Sequence, residues 1–341
     1  MCSARHRDTN STIHADVPVK NLSSALVTGA TGFIGSALVR RLLAEKFEVA
    51  CLVRGSSRNL SALAGLSGVK VIAVPSFHTE QLKPALAGTS VEVVFNLASY
   101  GVHQEHRDPQ QLIDGNLGIL THVLEATSRW PMRKFIHASS CSEYGSPRPS
   151  KSGVSEAEPL RPVSLYGAAK TASFVYGNAL ASTFGIPFVA LRLFGVFGPG
   201  ETRQRLVPYL IQRLQREESA ELTPGEQVRD FLYIDDVIDA FLAAAQEEGL
   251  EPGRAYNVCS GQPVRVREIG EAVADAIQKP RRLLHWGKRA YREDEPEWLV
   301  GDNSQFKRAT SWRPQLSLNR GIQRMIEALS LEAPASQENI R

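Results

Sequence analysis

Cysteine is scarce in this chain of 341 residues: Cys2, Cys51, Cys141 and Cys259 are the only four. None are spaced Cys-x-x-Cys, so neither a zinc knuckle nor a disulfide framework can be read from them. That usage suits a reducing cytosol, and a cytoplasmic protein is expected. Long apolar runs are also missing. No stretch approaches the ~18 residues that a membrane span needs, so no membrane partner is expected. Met1 to Leu22 are polar and mixed and lack the apolar core of a signal peptide, which reads as a mobile leader. Charge of one sign is not in excess, since 39 Lys and Arg stand against 36 Asp and Glu, interspersed, for a net +3. That balance gives no case for nucleic acid. The mild surplus of Arg would suit an anionic small molecule or simply a normal surface. No internal repeat or low-complexity tract is present.

What is there fits one large domain or two coupled ones. An apolar content of 43% supports a core, and 22% charged residues is ordinary. Ser24–Thr28 is a short apolar run ending at glycines and reads as a strand. From Phe33 to Lys46 the apolar residues fall at helical spacing. Further strands are predicted at Glu48–Val53, Val69–Val74, Val91–Leu97, Lys134–Ser139 and Pro187–Leu193, with helices over Gln110–Arg129 and Tyr166–Phe184. Alternating strands and helices predict an α/β fold with a doubly wound parallel sheet covered on both faces. After Gly195 the pattern loosens. Helices are expected at Leu206–Arg216, Asp236–Gln246 and Val266–Gln278, a strand at Arg254–Val258, and turns at Gly198-Pro199-Gly200, Pro224-Gly225 and Gly261-Gln-Pro263. The expected division is a leader over 1–22, a dinucleotide-binding domain over 23–195, a smaller and mainly substrate-binding lobe over 196–330, and a frayed tail over 331–341.

Thr28-Gly-Ala-Thr-Gly-Phe-Ile-Gly35 carries Gly29-x-x-Gly32-x-x-Gly35 where the first strand turns into the first helix. Gly29 permits the tight turn, Gly32 lets backbone approach a pyrophosphate, and Gly35 allows close helix–strand packing. The helix N-terminus then faces the phosphates. A glycine triplet alone is weak; the strand before it, the helix after it and a second strand about 20 residues on make it specific. That second strand ends in Arg54, where an NAD site wants Asp or Glu for the ribose hydroxyls. Arg54 could pair with a 2′-phosphate, with Ser56 or Arg58 assisting, so NADP(H) is expected over NAD(H). The plain alternative is a solvated loop arginine.

Tyr166-x-x-x-Lys170 puts a phenol and an ammonium on one face of a helix. The ammonium should lower a phenol pKa that starts near ~10 and let Tyr166 act as acid or base. Alone the pattern arises easily by accident. Ser139-Ser140-Cys-Ser-Glu-Tyr-Gly145, leaving a strand at the carboxyl edge of the sheet, adds a serine that could hydrogen-bond a reacting oxygen.

Together these motifs resemble the extended short-chain dehydrogenase/reductase family, the nucleotide-sugar epimerase, dehydratase and reductase group. The resemblance spans about residues 23–328. It includes Asn96-Leu-Ala98, Asn116-Leu-Gly118, Arg229-Asp-Phe-Leu-Tyr-Ile-Asp-Asp236, Asn257-Val-Cys-Ser-Gly261 and Trp312-Arg-Pro314. It implies a Rossmann sheet, Ser140 as catalytic Ser/Thr, Tyr166 as proton donor or acceptor, and Lys170 as the residue that holds the nicotinamide ribose and tunes Tyr166. By the same resemblance Gly29, Thr31, Gly32, Phe33, Ile34, Gly35, Leu97, Ala98 and Ser99 line the cofactor. Tyr100, Ser140, Cys141, Arg203, Arg229 and Arg292 line the substrate, with Arg229 and Arg292 at its diphosphate. For these two the bland alternative is a surface ion pair.

Departures from the family pattern select within it. Family dehydratases have Asp-Glu after the catalytic residue; here stand Cys141 and Ser142, with Glu143 one place off, so dehydration is disfavoured. Cys141 reads as a small, partly buried residue rather than an acid. Gly195 replaces a substrate-contacting Asn, and Ser76-Phe77 replaces an adenine-contacting Asp. His103-Gln-Glu-His106 reads as a polar loop rather than a metal site, and no metal is expected. Asp235-Asp236 reads as a helix cap. The expected activity is NADPH-dependent reduction of the 4-keto group of a nucleoside-diphospho-4-keto-6-deoxyhexose, with Tyr166 giving the proton and Ser140 orienting the carbonyl. The alternative is an NAD-dependent nucleotide-sugar 4-epimerase. A non-catalytic NADP-binding regulator is a third class, against which the intact Ser-Tyr-Lys set argues. The resemblance also implies a homodimer through the Gln110–Arg129 and Tyr166–Phe184 helices.

Overall fold

The computed structural model describes residues 22–57, 59–101 and 108–332. Arg58, His103 and His106 therefore lie outside the described residues. The strands are β1 Ser24–Thr28, β2 Glu48–Arg54, β3 Val69–Val74, β4 Val93–Asn96, β5 Lys134–Ser140, β6 Phe188–Leu193, β7 Gly195–Phe197, β8 Ala220–Glu221, β9 Val228–Arg229, β10 Phe231–Tyr233, β11 Ala255–Val258, β12 Val264–Arg265, β13 Leu284–His285 and β14 Trp298–Leu299. The helices are α1 Phe33–Ala44, α2 Thr79–Ala85, α3 Pro109–Ile113, α4 Ile119–Thr127, α5 Leu165–Thr183, α6 Leu206–Gln215, α7 Ile234–Gln246, α8 Val266–Ile277, α9 Ser304–Ala309 and α10 Leu318–Glu332.

Seven strands form one sheet in the order β11-β6-β5-β4-β1-β2-β3. Every pairing in it is parallel. β5 and β6 are buried along their whole length, as strands covered on both faces must be. Side-chain alternation divides the core accordingly. Ile136 of β5 packs on one face with Leu38 of α1 and Phe241 of α7, while Phe135 packs on the other with Leu124 of α4 and Ala181 of α5. The strand order reverses between β1 and β4. Helices diverge to opposite faces there, and a crevice opens at the carboxyl ends of those strands.

The chain beyond β6 contributes both to the main sheet and to the outer elements. β11 hydrogen-bonds to β6 at the edge of the main sheet, in register Ala255↔Ala190. α7 packs against α1 and β5. The outer part of this region holds the small β10-β7, β12-β9-β14 and β13-β8 pairings and the α6, α8 and α10 helices. Asp235 and Asp236 fall inside the first turn of α7, whose N-cap is Tyr233, so they are not the cap that the sequence suggested. The buried Asp236 carboxylate instead accepts from the backbone N–H groups of Gln315 at 2.9 Å and Leu316 at 3.0 Å, anchoring the segment that leads to α10.

The predicted helix over Gln110–Arg129 is three pieces. α3 gives way to a π turn at Asp114–Gly118 before α4 resumes. The physical reason is Asn116. Its buried amide donates to the carbonyls of Leu112 and Tyr100, both at 2.8 Å, and so competes with the regular helical ladder.

Gly35 sits where a Cβ would overlap the Gly29 carbonyl oxygen and lie 2.7 Å from the Gly29 carbonyl carbon. Gly35→Ala should therefore destabilise the protein by about 1–3 kcal/mol through overpacking. It should also weaken dinucleotide binding, because the same contact sets the angle of α1. A melting temperature and an NAD titration equal to those of the unsubstituted protein would contradict this.

Candidate active site

The glycine turn is built for close backbone approach. Gly29 has φ +67°, and a Cβ there would lie 2.7 Å from the Ala98 nitrogen, so β1's exit and β4's exit are in near contact. Thr28 Oγ1 fastens the two, donating to Asn96 Oδ1 at 2.7 Å and accepting from Ala98 N–H at 3.1 Å. Gly32 is the N-cap of α1; no side chain caps the helix and no acidic residue lies in its first turn. The orphan N–H groups at that end are thus left for an anion. Thr31 Oγ1 lies 2.9 Å from Ser57 Oγ, tying the turn to the loop after β2. Phe33 and Ile34 are half-buried, while Arg54 and Ser56 are exposed at the end of β2. These residues fit the pyrophosphate and adenosine end of a dinucleotide.

Ser140 ends β5 and is the N-cap of a short 3₁₀ turn, Cys141–Tyr144, its Oγ accepting from Ser142 N–H at 3.2 Å. α5 starts against that turn. Ser164 caps α5 by accepting from Gly167 N–H at 3.1 Å, and Gly167 packs so closely that a Cβ would lie 2.5 Å from the Ser142 carbonyl oxygen. This contact delivers Tyr166, whose phenol is acted on by the side chains of Ser99 and Ser140. Ser99 also donates to Asn116 Oδ1 at 2.8 Å, which links the tyrosine to the π turn. Lys170 is buried, and its Nζ donates to the Ala138 carbonyl at 2.9 Å.

The expectation that Lys170 lowers the Tyr166 pKa is not met in this arrangement. Burial pushes the phenol up to about 12, against the side chains of Ser99 and Ser140, which pull it down. The ammonium is turned to the Ala138 carbonyl, and burial pulls it down to about 8, opposed by the charge of Glu143. Burial thus disfavours the charged form of both groups in this arrangement.

Arg229 and Arg292 meet, as a diphosphate clamp should, but on a carboxylate of the chain. Both form ion pairs with Glu295, Arg292 through Nε at 2.9 Å and Nη2 at 2.6 Å. The sequence reading missed Glu295; its spacing of three from Arg292 was the available signal. The charges of Arg229 and Arg205 favour the Cys141 thiolate, but burial outweighs them. Cys141 is half-buried and its thiol is pushed up to about 12 by burial, so it is no acid at neutral pH. Glu143 is fully buried and bonded to Arg192, which removes it from acid chemistry on a substrate. The missing Asn at Gly195 has a steric reason: a Cβ there would lie 2.6 Å from the Asp230 carbonyl oxygen. Tyr100 is half-buried, and Arg203 is exposed in the turn before α6. No cluster of three or more metal-binding side chains occurs among the described residues.

A parallel sheet with a phosphate-ready turn and a Ser-Tyr-Lys set at its carboxyl edge defines a dinucleotide-dependent enzyme of the short-chain dehydrogenase/reductase class. Within that class, the chain belongs to the NAD dependent epimerase/dehydratase family, whose profile matches residues 25–259. A UDP-glucose 4-epimerase of Mycolicibacterium smegmatis is 30% identical over 321 residues, covering 89% of this chain and 97% of that one. Among solved structures, a UDP-glucuronic acid 4-epimerase from Bacillus cereus, in complex with UDP-glucuronic acid and NAD, is 26% identical. It has a TM-score of 0.81 and covers 91% of this chain and 99% of its own. A UDP-glucose 4-epimerase from Thermus thermophilus in complex with NAD is 27% identical, with a TM-score of 0.80 over 90% of this chain and 99% of that one.

The three described thiols give a pH-dependent check on the site. Cys51 and Cys141 are pushed up to about 12 and Cys259 well above its usual value, all chiefly by burial. A thiol at that value is thiolate only to about one part in 10⁴ at pH 8. In a Cys2→Ser background the native protein should react with Ellman's reagent at pH 8 orders of magnitude more slowly than the unfolded protein. Rapid labelling of Cys141 would show instead an activated thiol.

Proposed function

We propose that this protein interconverts C4 epimers of a nucleoside-diphospho-hexose, with a bound nicotinamide dinucleotide. The observation that carries this is the grouping of Ser140, Tyr166 and Lys170 at the carboxyl edge, with the nearby acid, Glu143, locked away on Arg192. Such a site serves redox chemistry at a carbinol but lacks an acid free to expel water from the sugar. Tyr166 takes the C4 hydroxyl proton and later returns it, and Ser140 holds the C4 oxygen. Lys170 lies one helical turn on, where it can bind ribose hydroxyls. The dinucleotide, when bound in the β1–α1 turn, supplies reversible hydride transfer. Arg229 and Arg292 would exchange Glu295 for the substrate diphosphate. The activities of the similar proteins support the epimerase over the 4-keto reduction that the sequence alone suggested.

One observation favours a second reading. Arg54 is exposed at the end of β2, in the place where an acidic side chain would take a ribose diol. That suits NADP(H), and NADP(H) suits net 4-keto reduction with cofactor exchange. The deciding experiment measures cofactor affinity first, then incubates the protein with UDP-glucose or UDP-glucuronic acid and follows both C4 epimers and absorbance at 340 nm. Interconversion without net absorbance change is expected. Stoichiometric NADPH oxidation with a 4-keto-6-deoxy nucleotide sugar, and no interconversion, would establish the reductase. Tyr166→Phe should cut turnover by roughly 10²–10⁴-fold with cofactor binding intact; retained turnover would remove Tyr166 from the mechanism.

The homodimer belongs to the same proposal. Leu165, Ala168, Ala172, Val175, Tyr176 and Ala179 form an exposed stripe along α5 at three- and four-residue spacing. Light scattering should find a dimer, and Val175→Asp a monomer. A monomeric parent protein would refute this.

A further inference from the structure

The turn after β5 holds an acid that the proposed chemistry does not use. The Glu143 side chain is 0% exposed and its partner Arg192 3%. Arg192 Nε donates to Glu143 Oε2 at 2.8 Å. On Oε1 converge the Ser140 backbone N–H at 3.1 Å and the Ser139 hydroxyl. Glu143 and Ser140 thus form a capping box, Glu143 gripping the backbone of Ser140 while Ser140 Oγ grips the turn. Arg192 is itself fixed. Its Nη1 donates to the Tyr144 hydroxyl at 3.1 Å, and its guanidinium lies 5.0 Å from the ring centres of both Tyr144 and Phe174.

A buried ion pair is poor evidence for stability, since an apolar pair of similar volume often serves as well. What an apolar residue could not do is hold the Ser140 peptide. We propose that Glu143, clamped by Arg192, is a positioning residue that fixes Ser140 against Tyr166 and serves as the counter-charge of Lys170. Lys170 Nζ on the Ala138 carbonyl and Glu143 Oε1 on the Ser139 hydroxyl are held by adjacent residues of β5, and the Glu143 charge favours the ammonium, whereas burial holds the pKa of His137, also on β5, well below its usual value and so keeps that ring neutral. Burial already brings Lys170 down to about 8. Loss of the Glu143 charge would bring it lower and leave a larger neutral fraction at pH 7. The inference rests on the catalytic roles proposed for Ser140, Tyr166 and Lys170.

The test uses the full-length protein labelled with 13Cε-lysine, the Lys170 signal being assigned by its absence in Lys170→Arg. Two variants are compared. Glu143→Gln removes the charge alone; Glu143→Leu with Arg192→Leu removes the pair without stranding a buried cation, so one folded variant is secured. Each is checked for melting and for NAD binding. The Lys170 midpoint should fall from about 8 by roughly a unit or more. kcat should fall on the order of 100-fold with KM within about twofold, and the alkaline limb of the pH profile should move to lower pH. An unchanged Lys170 midpoint, or an unchanged kcat in a folded variant, would overturn the inference. If the unsubstituted protein turns over no nucleotide sugar, the functional reading fails, and the Lys170 midpoint alone decides this one.

Discussion

The pairing of Glu143 with Arg192 is the constraint on which the rest of the site depends. It joins the turn after β5 to the carboxyl end of β6, and through Tyr144 it reaches further. The Tyr144 hydroxyl donates to Asn257 Oδ1 on β11 at 2.7 Å, and the Asn257 amide donates to the carbonyls of Val154 and Asp302. One buried polar chain therefore fastens the Ser140 turn, the sheet edge and the segment around β14 to each other. Every member has a partner, which is the condition under which such a network can be buried at all. Its contribution is geometric more than energetic, because the desolvation of both ions offsets most of their attraction.

A second polar row crosses the sheet one level back. Thr28, Asn96 and His137 are neighbours in register on β1, β4 and β5. Thr28 donates to Asn96, and the Asn96 amide lies 3.1 Å from His137 Nδ1. Burial holds the His137 pKa well below its usual value, so this imidazole is neutral. The row lies beneath the crevice where the strand order reverses. It fixes how far each strand projects, and the strand ends carry the glycine turn, the Leu97–Ser99 loop and the Ser140 turn. A neutral histidine here lets the three ends lie side by side without adding a further charge to the Lys170 surroundings.

Most of the framework was legible because strand and helix periodicities are local. Ser24–Thr28 and Val69–Val74 occur at the residues the pattern marks, and α5 is displaced by one residue at each end. What was not legible depends on partners distant in sequence. The π turn follows from Asn116 bonding across to Tyr100. The return of β11 to the main sheet depends on β6, and nothing in Ala255–Val258 announces it. The Tyr-Lys spacing correctly placed two side chains on one helix face, but it could not say that Lys170 would be occupied by Ala138 and that burial would dominate Tyr166. Gly195 looked like a lost substrate contact; the approach of the Asp230 carbonyl gives it a structural cause. Glu143 looked like a displaced catalytic acid until Arg192, 49 positions away, supplied its partner.

The distribution of rigid and open parts bears on epimerisation. Inverting C4 through a 4-keto sugar requires one fixed donor face to meet both faces of the ring in turn, so the hexose must turn while its nucleotide end stays held. Under the proposed reading, Arg229 and Arg292 are the anchor, and they are already brought together on the Glu295 carboxylate that the diphosphate would replace. The turn that would meet the hexose is fixed from below by the capping box of Ser140 and Glu143. An acid at Cys141 would divert the keto sugar to loss of water. A reductase has no need to retain the keto sugar, since its product leaves after one transfer. Paired arginines at the nucleotide end are therefore easier to explain for an enzyme that must keep its intermediate than for one that releases it.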